Sequence, residues 1–239
     1  MAPSDRTPSA DRFPRIRSFV RREGKLTRGQ ARALENLWSV YGIDYQPQLL
    51  DLPGIFGRRA PLVLEIGFGN GDALLHSAQQ HPENNFLGIE VHRPGVGSLL
   101  LRAEQSALKN LRVLRHDAVE VVEHCIEDHS LAEVRIFFPD PWPKKRHHKR
   151  RLVQGDFIHK LSRTLATDGR LHLATDWEEY AQQMLQVLCA ERTLKNIHPD
   201  SKFAPRPESR PETRFEKRGQ LLGHGVWDLL FVKIQNIAD

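Results

Sequence analysis

From Pro61 to about Ala190 the chain alternates short apolar runs with longer stretches of helical periodicity. Leu62–Ile66, Phe86–Val91, Leu111–Arg115, Val134–Phe138 and Gly169–Ala174 read as short buried strands, since compact apolar runs bounded by Gly, Pro, Asn or Asp suit a covered sheet. Between and after them, segments from Asp72 to about Gln80, Pro94 to Lys109, Val119 to about Glu127, Gly155 to about Leu165 and Glu178 to Ala190 read as helices. Asp72 and Asp117 stand where helix caps are expected. The alternation predicts right-handed crossovers and a mostly parallel α/β sheet with helices on both faces.

The flanks follow other patterns. Met1 to Pro14 holds little that could be buried and reads as disordered. Arg15 to Arg28 interleaves basic residues with Ile16, Phe19, Val20 and Leu26, as a tail or as an arm that orders against a phosphate backbone. Gly29 to Tyr41 carries the spacing of an amphipathic helix, and Pro47 to Ala60 reads as a Pro/Gly-punctuated connection. After the last helix, 203–219 reads as a long loop, and Val226–Val232 pairs with Thr193–Ile197 as an antiparallel hairpin at the sheet edge. The expected division is a flexible basic arm over 1–28 and a single domain over 29–239.

Composition narrows the class. With 239 residues, 39% of them hydrophobic, the chain can bury a core without staples. A net charge of +5 and a pI near 9.4 leave open a polyanionic partner. Cys125 and Cys189 lack disulfide or metal-ligand spacing, which suits a reducing compartment. No apolar run could cross a bilayer, and the N-terminus lacks a secretory h-region. The expectation is a cytoplasmic protein without membrane or metal partners.

The charge is concentrated. Phe137-Phe138-Pro139-Asp140-Pro141-Trp142-Pro143 leads into Lys144 to Arg151, eight residues with six Lys or Arg and two His. The prolines stiffen the backbone around Asp140 and Trp142. Trp142 could stack on a base or ribose, or pack beneath its own loop. His147 and His148 make a poor metal site among so many cations.

Glycines follow the first strand in Glu65-Ile66-Gly67-Phe68-Gly69-Asn70-Gly71. Glycine there lets a ligand approach the backbone. The spacing departs from the dinucleotide fingerprint, and Glu65 would repel a pyrophosphate, which favours a cationic or neutral ligand. Glu90 ends the second strand, where a carboxylate can accept ribose hydroxyls. Asp117 follows the third, placed for an adenine amino group, for capping the next helix, or for both. Glu65, Glu90, Asp117 and Asp140 thus form an acidic rim on one sheet edge, suited to S-adenosylmethionine. Asp176 follows the fifth strand and is expected to face the same pocket or to cap the helix after it.

The runs Leu64 to Gly71 and Gly88 to Gly97 resemble those of class I methyltransferases. Phe138 to Arg151, Arg210 to Gly219, Gly223 to Asp228 and Arg15 to Arg22 are similar to motifs of the bacterial tRNA (guanine-N7)-methyltransferases. The resemblance implies a Rossmann-like fold with an antiparallel C-terminal edge, S-adenosylmethionine as cofactor, and a guanine in the variable loop of tRNA as substrate. It further implies Glu65, Gly67, Gly69, Glu90, Asp117 and Asp140 at the cofactor, with Asp140 as the active-site residue. Lys144, Asp176, Thr213, Arg214, Phe215 and Glu216 would bind substrate, and Arg146, His147, His148, Lys149, Arg150 and Arg151 would contact RNA. A monomer is expected. Guanine N7 has an in-plane lone pair and no proton, so its methylation needs no general base, in keeping with the lack of an evident nucleophile. Two alternatives stay open: methylation of an exocyclic base amine, and a non-catalytic tRNA-binding chaperone with a degenerate cofactor pocket.

Overall fold

The computed structural model describes residues 17–19, 24–200, 202–208, 210, 211, 216 and 225–235. The segment Met1–Pro14, much of the arm, and Thr213, Arg214 and Phe215 lie outside the described residues. The arm is followed by α1 (Arg28–Asn36), α2 (Trp38–Tyr41), β1 (Gly42–Ile43) and α3 (Leu52–Phe56). The regular alternation then runs β2 (Leu62–Ile66), α4 (Asp72–Gln80), β3 (Asn85–Ile89), α5 (Arg93–Gln105), β4 (Leu111–Leu114), α6 (Ala118–His124) and β5 (Leu131–Phe137). A 3-10 helix (Lys145–Arg150), α7 (Gly155–Thr164), β6 (Leu165–Thr175), α8 (Glu178–Ala190), β7 (Leu194–Asn196) and β8 (Trp227–Lys233) complete it.

These strands form one sheet in the order β1-β4-β3-β2-β5-β6-β8-β7. The pairs from β1 to β6 are parallel, while β8 runs antiparallel to both β6 and β7. The expected C-terminal hairpin is therefore present. Because β2 and β5 are central neighbours, the turn after β2 and the proline segment after β5 emerge side by side at the carboxyl edge of the sheet. That juxtaposition builds the site.

Both faces are covered. Leu74, Ala78, Val96, Leu99 and Leu100 of α4 and α5, with Ala33 of α1, pack on Val63, Phe86 and Val113. Val121, Val122, Phe157, Ile158, Leu161, Tyr180 and Met184 of α6, α7 and α8 pack on Leu62, Leu64, Ile66 and Leu171. Thr27 caps α1 through a reciprocal capping box with Gln30.

Local departures from expectation have local causes. The helix over Gly29–Tyr41 is divided at Leu37, and the connection 47–60 contains α3, capped by Asp51. The two-residue strand β1 adds to the sheet beyond β4 without a periodic signature of its own. Asp72 does not cap α4: Gly71 occupies that position with φ 78°, and Asp72 in the first turn pairs with Arg102. Asp117 does cap α6, accepting a hydrogen bond from Val119 N at 3.1 Å. No described helix is long and apolar enough to cross a membrane.

Candidate active site and nucleic-acid interface

The turn after β2 is shaped by backbone that only glycine holds cheaply. Gly67, Gly69 and Gly71 all have positive φ, and a Cβ at Gly67 or Gly69 would meet nothing within 4 Å. The requirement there is conformational, and it leaves an open cradle. On the other side of the turn, Gly95 of α5 is a contact residue: a Cβ would lie 2.1 Å from the Gly69 carbonyl oxygen.

Glu90 ties this cradle to β3. Its Oε2 accepts from Gly69 N at 2.8 Å, and its Oε1 accepts from Val91 N at 2.7 Å and His92 N at 2.9 Å. Part of the carboxylate's accepting capacity is therefore spent holding the turn, and Oε2 keeps a lone pair for a ligand hydroxyl.

Glu65 is the opposite case. It is 2% exposed, and its Oε2 has no hydrogen-bond partner among the described residues. Burial pushes its pKa up to about 7, with nearby Arg135 pulling down and Glu133 pushing up. Arg135 is itself committed, donating to Glu133 at 2.6 Å and to Ser77 at 2.6 Å. A buried acceptor left open costs free energy unless something enters to meet it. The amino group of S-adenosylmethionine has the charge and donors for that place.

The cavity these residues line measures about 680 Å³, large enough for a nucleoside-sized cofactor. Its wall includes Glu65, Gly67, Gly69, Glu90, His116, Ala118, Phe138, Asp140 and Trp142, together with Ser18 and Phe19 of the arm. Asp117 is buried behind the wall as a helix cap, although its neighbours on both sides line the cavity. Asp176 is half-buried between β6 and α8 and is not part of the wall, contrary to expectation. It does not cap α8 either, because Trp177 is the N-cap residue and has no side-chain cap bond.

Asp140 stands exposed at the cavity mouth, between two bulky residues in left-handed backbone, Phe138 at φ 50° and Trp142 at φ 44°. Such φ values are unusual for aromatic residues and persist only where the surroundings enforce them. Several contacts do so. Phe138 N donates to Ala174 O at 2.8 Å. Trp142 Nε1 donates to Ser18 O at 3.1 Å, while Arg150 lies 5.1 Å from its ring centroid and His147 meets it edge-on. Trp142 thus joins the arm to the basic helix as well as facing the cavity.

The basic segment divides into two roles. Lys144, Arg146 and Lys149 are exposed, and His147, His148 and Arg150 are half-exposed. Desolvation, and then the surrounding cations, lower the pKa of His147. Arg151 departs from the expected RNA contact. It is 2% exposed, donating to Pro141 O at 2.8 Å and to Gln183, with its guanidinium over the Tyr180 ring. A guanidinium so enclosed clamps the proline segment to α8 and cannot reach a phosphate.

Sequence reasoning gave no role to a second enclosed guanidinium. Arg210 donates to Asp228 at 2.8 and 3.0 Å and to Glu216 at 2.6 and 3.0 Å, and lies near the Phe137 and Phe138 rings. Glu216, expected at the substrate, is buried in this pair. His172 meets Asp228 Oδ1 at 2.7 Å. Arg210 and Asp228 lay inside recognisable motifs, but nothing in the linear order says that they meet. Arg135 did give a signal, as the one charge within the apolar run Val134–Phe138.

Comparison with known proteins adds independent information. The sequence model of a family described as a putative methyltransferase matches residues 59–229. A tRNA (guanine-N(7)-)-methyltransferase of Aeromonas hydrophila subsp. hydrophila is 56% identical over 220 residues, covering 92% of this chain and 93% of that protein. Another, from Edwardsiella ictaluri, is 55% identical over 221 residues, with 92% and 93% covered. Among solved structures, a variant of the 16S rRNA (adenine(1408)-N(1))-methyltransferase of Catenulisporales acidiphilia with cosubstrate SAM superposes with a TM-score of 0.53 at 15% identity, covering 82% of this chain and 95% of that one. The aminoglycoside resistance methyltransferase NpmB1 gives a TM-score of 0.52 at 14% identity, covering 78% and 95%. At such identities the likeness shows the fold, a Rossmann-like methyltransferase sheet.

Proposed function

Because the chain belongs to the tRNA (guanine-N7)-methyltransferase family of class I methyltransferases, we propose that it transfers a methyl group from S-adenosylmethionine to N7 of a guanine in the variable loop of tRNA. The observation that carries this reading to the site is the open carboxylate oxygen of Glu65, a residue of the wall of a cavity whose mouth holds Asp140 and abuts a basic helix.

S-adenosylmethionine supplies an electrophilic methyl carbon. The residues of this chain have four tasks around it. Glu65 accepts from the cofactor's amino group, and the Gly67–Gly71 turn gives close backbone approach. Glu90 offers its remaining Oε2 lone pair to a ribose hydroxyl. His116 and Ala118 would flank the adenine, with the Asp117 segment behind them. Asp140 orients the guanine by accepting from its N1 and N2 donors, or offsets the positive charge that N7 attack places on the ring. No proton leaves N7, so rate comes from alignment and electrostatics. Lys144, Arg146, Lys149 and Arg150 hold phosphates, while the pocket selects the base.

The test is transfer of labelled methyl to unmodified tRNA, with the position mapped by chemical cleavage at the modified guanine and by mass of the product nucleoside. Asp140→Ala should abolish turnover and leave cofactor binding by calorimetry largely intact. Normal turnover in that variant would remove Asp140 from the reaction. An exocyclic methylated base as product would overturn the N7 assignment, and absence of transfer would favour a binding-only protein.

A further inference from the structure

Beside the basic helix a second concavity opens, away from the cofactor cavity. It is a groove of about 450 Å³ between the 3-10 helix and α8, lined by His148, Lys149, Arg151, Gln154, Glu179, Gln182, Gln183 and Gln186. Four of these residues are glutamines. Glu179, Gln182, Gln183 and Gln186 fall at helical spacing on one face of α8, so the wall of the groove is a ladder of side chains.

The members of the ladder are unequal. Gln183 is committed on both ends, accepting from Arg151 and donating to Val153 O at 3.2 Å. Gln154 donates to His148 O at 3.0 Å. These two amides fix the floor. Glu179 would repel a polyanion, yet it lies 3.4 Å from the Arg151 guanidinium, which offsets its charge. Gln182 and Gln186 are exposed, as is Lys149 on the opposite wall. Each outward amide presents donors and an acceptor, while Lys149 presents a positive charge.

We propose that this groove is a ribose–phosphate subsite, in which Lys149 holds a phosphate and Gln182 and Gln186 hydrogen-bond ribose 2′-hydroxyl and phosphate oxygens of nucleotides flanking the target guanine. It extends the tRNA reading given above and rests on it. Charge and position support it. The groove is continuous with the exposed cations of the basic helix, and Arg151 in its floor is bonded to Pro141, next to Asp140. A strand whose guanine enters at Asp140 has its neighbouring backbone led this way. The mixed amide and cation lining suits RNA, since a 2′-hydroxyl both donates and accepts.

The test uses the full chain and unmodified tRNA. Gln182→Ala/Gln186→Ala should raise KM for tRNA about tenfold, the scale of one or two neutral hydrogen bonds, with kcat and cofactor affinity unchanged. The slope of log KM against log salt should stay as in the unaltered chain, whereas Lys149→Ala should flatten it by about one phosphate contact. Gln182→Glu/Gln186→Glu, which keeps good helix formers in place, should raise KM further. A tRNA carrying 2′-deoxyribose beside the target guanine should lose affinity for the unaltered chain and lose nothing more for the alanine double variant. An unchanged KM in the double variants, with normal methyl transfer by the parent, would overturn the groove alone. No transfer to tRNA by the parent would overturn the groove and the proposed function together.

Discussion

The two sides of the cavity are held by different means. On the β2–β3 side the cradle is backbone: glycines at positive φ, a carboxylate bonded to three nearby N–H groups, and a helix backbone pressed against the Gly69 carbonyl. On the β5–β6 side the Asp140 segment is pinned by side chains reaching from elsewhere: Arg151 bonding Pro141, Arg210 beneath Phe137 and Phe138, and Trp142 bonded to the arm. The first side is set once the sheet forms. The second requires distant segments to meet, and it holds its acid through buried guanidinium groups.

The largest effect should come from the second side. Arg210→Ala leaves Asp228 and Glu216 buried without their guanidinium, a loss of about 3–5 kcal/mol. Denaturant unfolding should show the loss, and Arg210→Lys should recover only part because it cannot bond both carboxylates in parallel. If the two sides are as distinct as described, the cofactor dissociation constant of still-folded Arg210→Lys stays near that of the parent while methyl transfer falls. A matching fall in cofactor affinity would erase the distinction.

Glu65→Gln tests the first side through pH. The folded pKa of Glu65, raised to about 7 by burial, lies above its unfolded value. Its contribution to stability is therefore full below the unfolded value and is lost as pH rises through about 7. The cofactor-free Gln variant should lack that loss, and its advantage over the parent should grow between about pH 5 and 8 toward roughly 3 kcal/mol. Thermal melting across that range measures it. Cofactor binding should move oppositely: affinity in the parent strengthens as the carboxylate ionises, and the variant loses both that gain and the charge pair. Parallel melting curves for the two proteins would show that Glu65 is not the titrating group.

Gly95→Ala should be the mildest of the three, costing about 1–3 kcal/mol by overpacking. Its Cβ would meet the Gly69 carbonyl, which is backbone and cannot swing aside. The displaced turn should weaken cofactor binding while the salt dependence of tRNA binding stays as it was. A change in that dependence would mean that the two sides are coupled.

The same division explains what the sequence disclosed. Strand and helix alternation, the cap role of Asp117 and the antiparallel tail are local or periodic, and could be read. The glycine turn could be read because positive φ selects residue type. β1 is too short to carry a period, and it exists because β4 offers an edge. Arg151 looked like its seven neighbours in the basic run, and only the fold shows that it ends the 3-10 helix and turns inward. The Arg210 cluster depends on pairing across a loop, where composition offers no coordinate. Asp176 illustrates the converse: its place after a strand was legible, but its distance from the cavity wall was not.

Glu65 and Arg135 are register partners across the central pair β2 and β5. Sheet pairing admits neighbouring alignments, and aliphatic strands discriminate among them weakly when both faces are covered. A slip of one residue would turn Arg135 to the opposite face, away from Glu65 and from Ser77 on α4. Arg135 thereby favours one alignment of the two middle strands, because a shifted register would cost its buried bond to Ser77 and its attraction to Glu65.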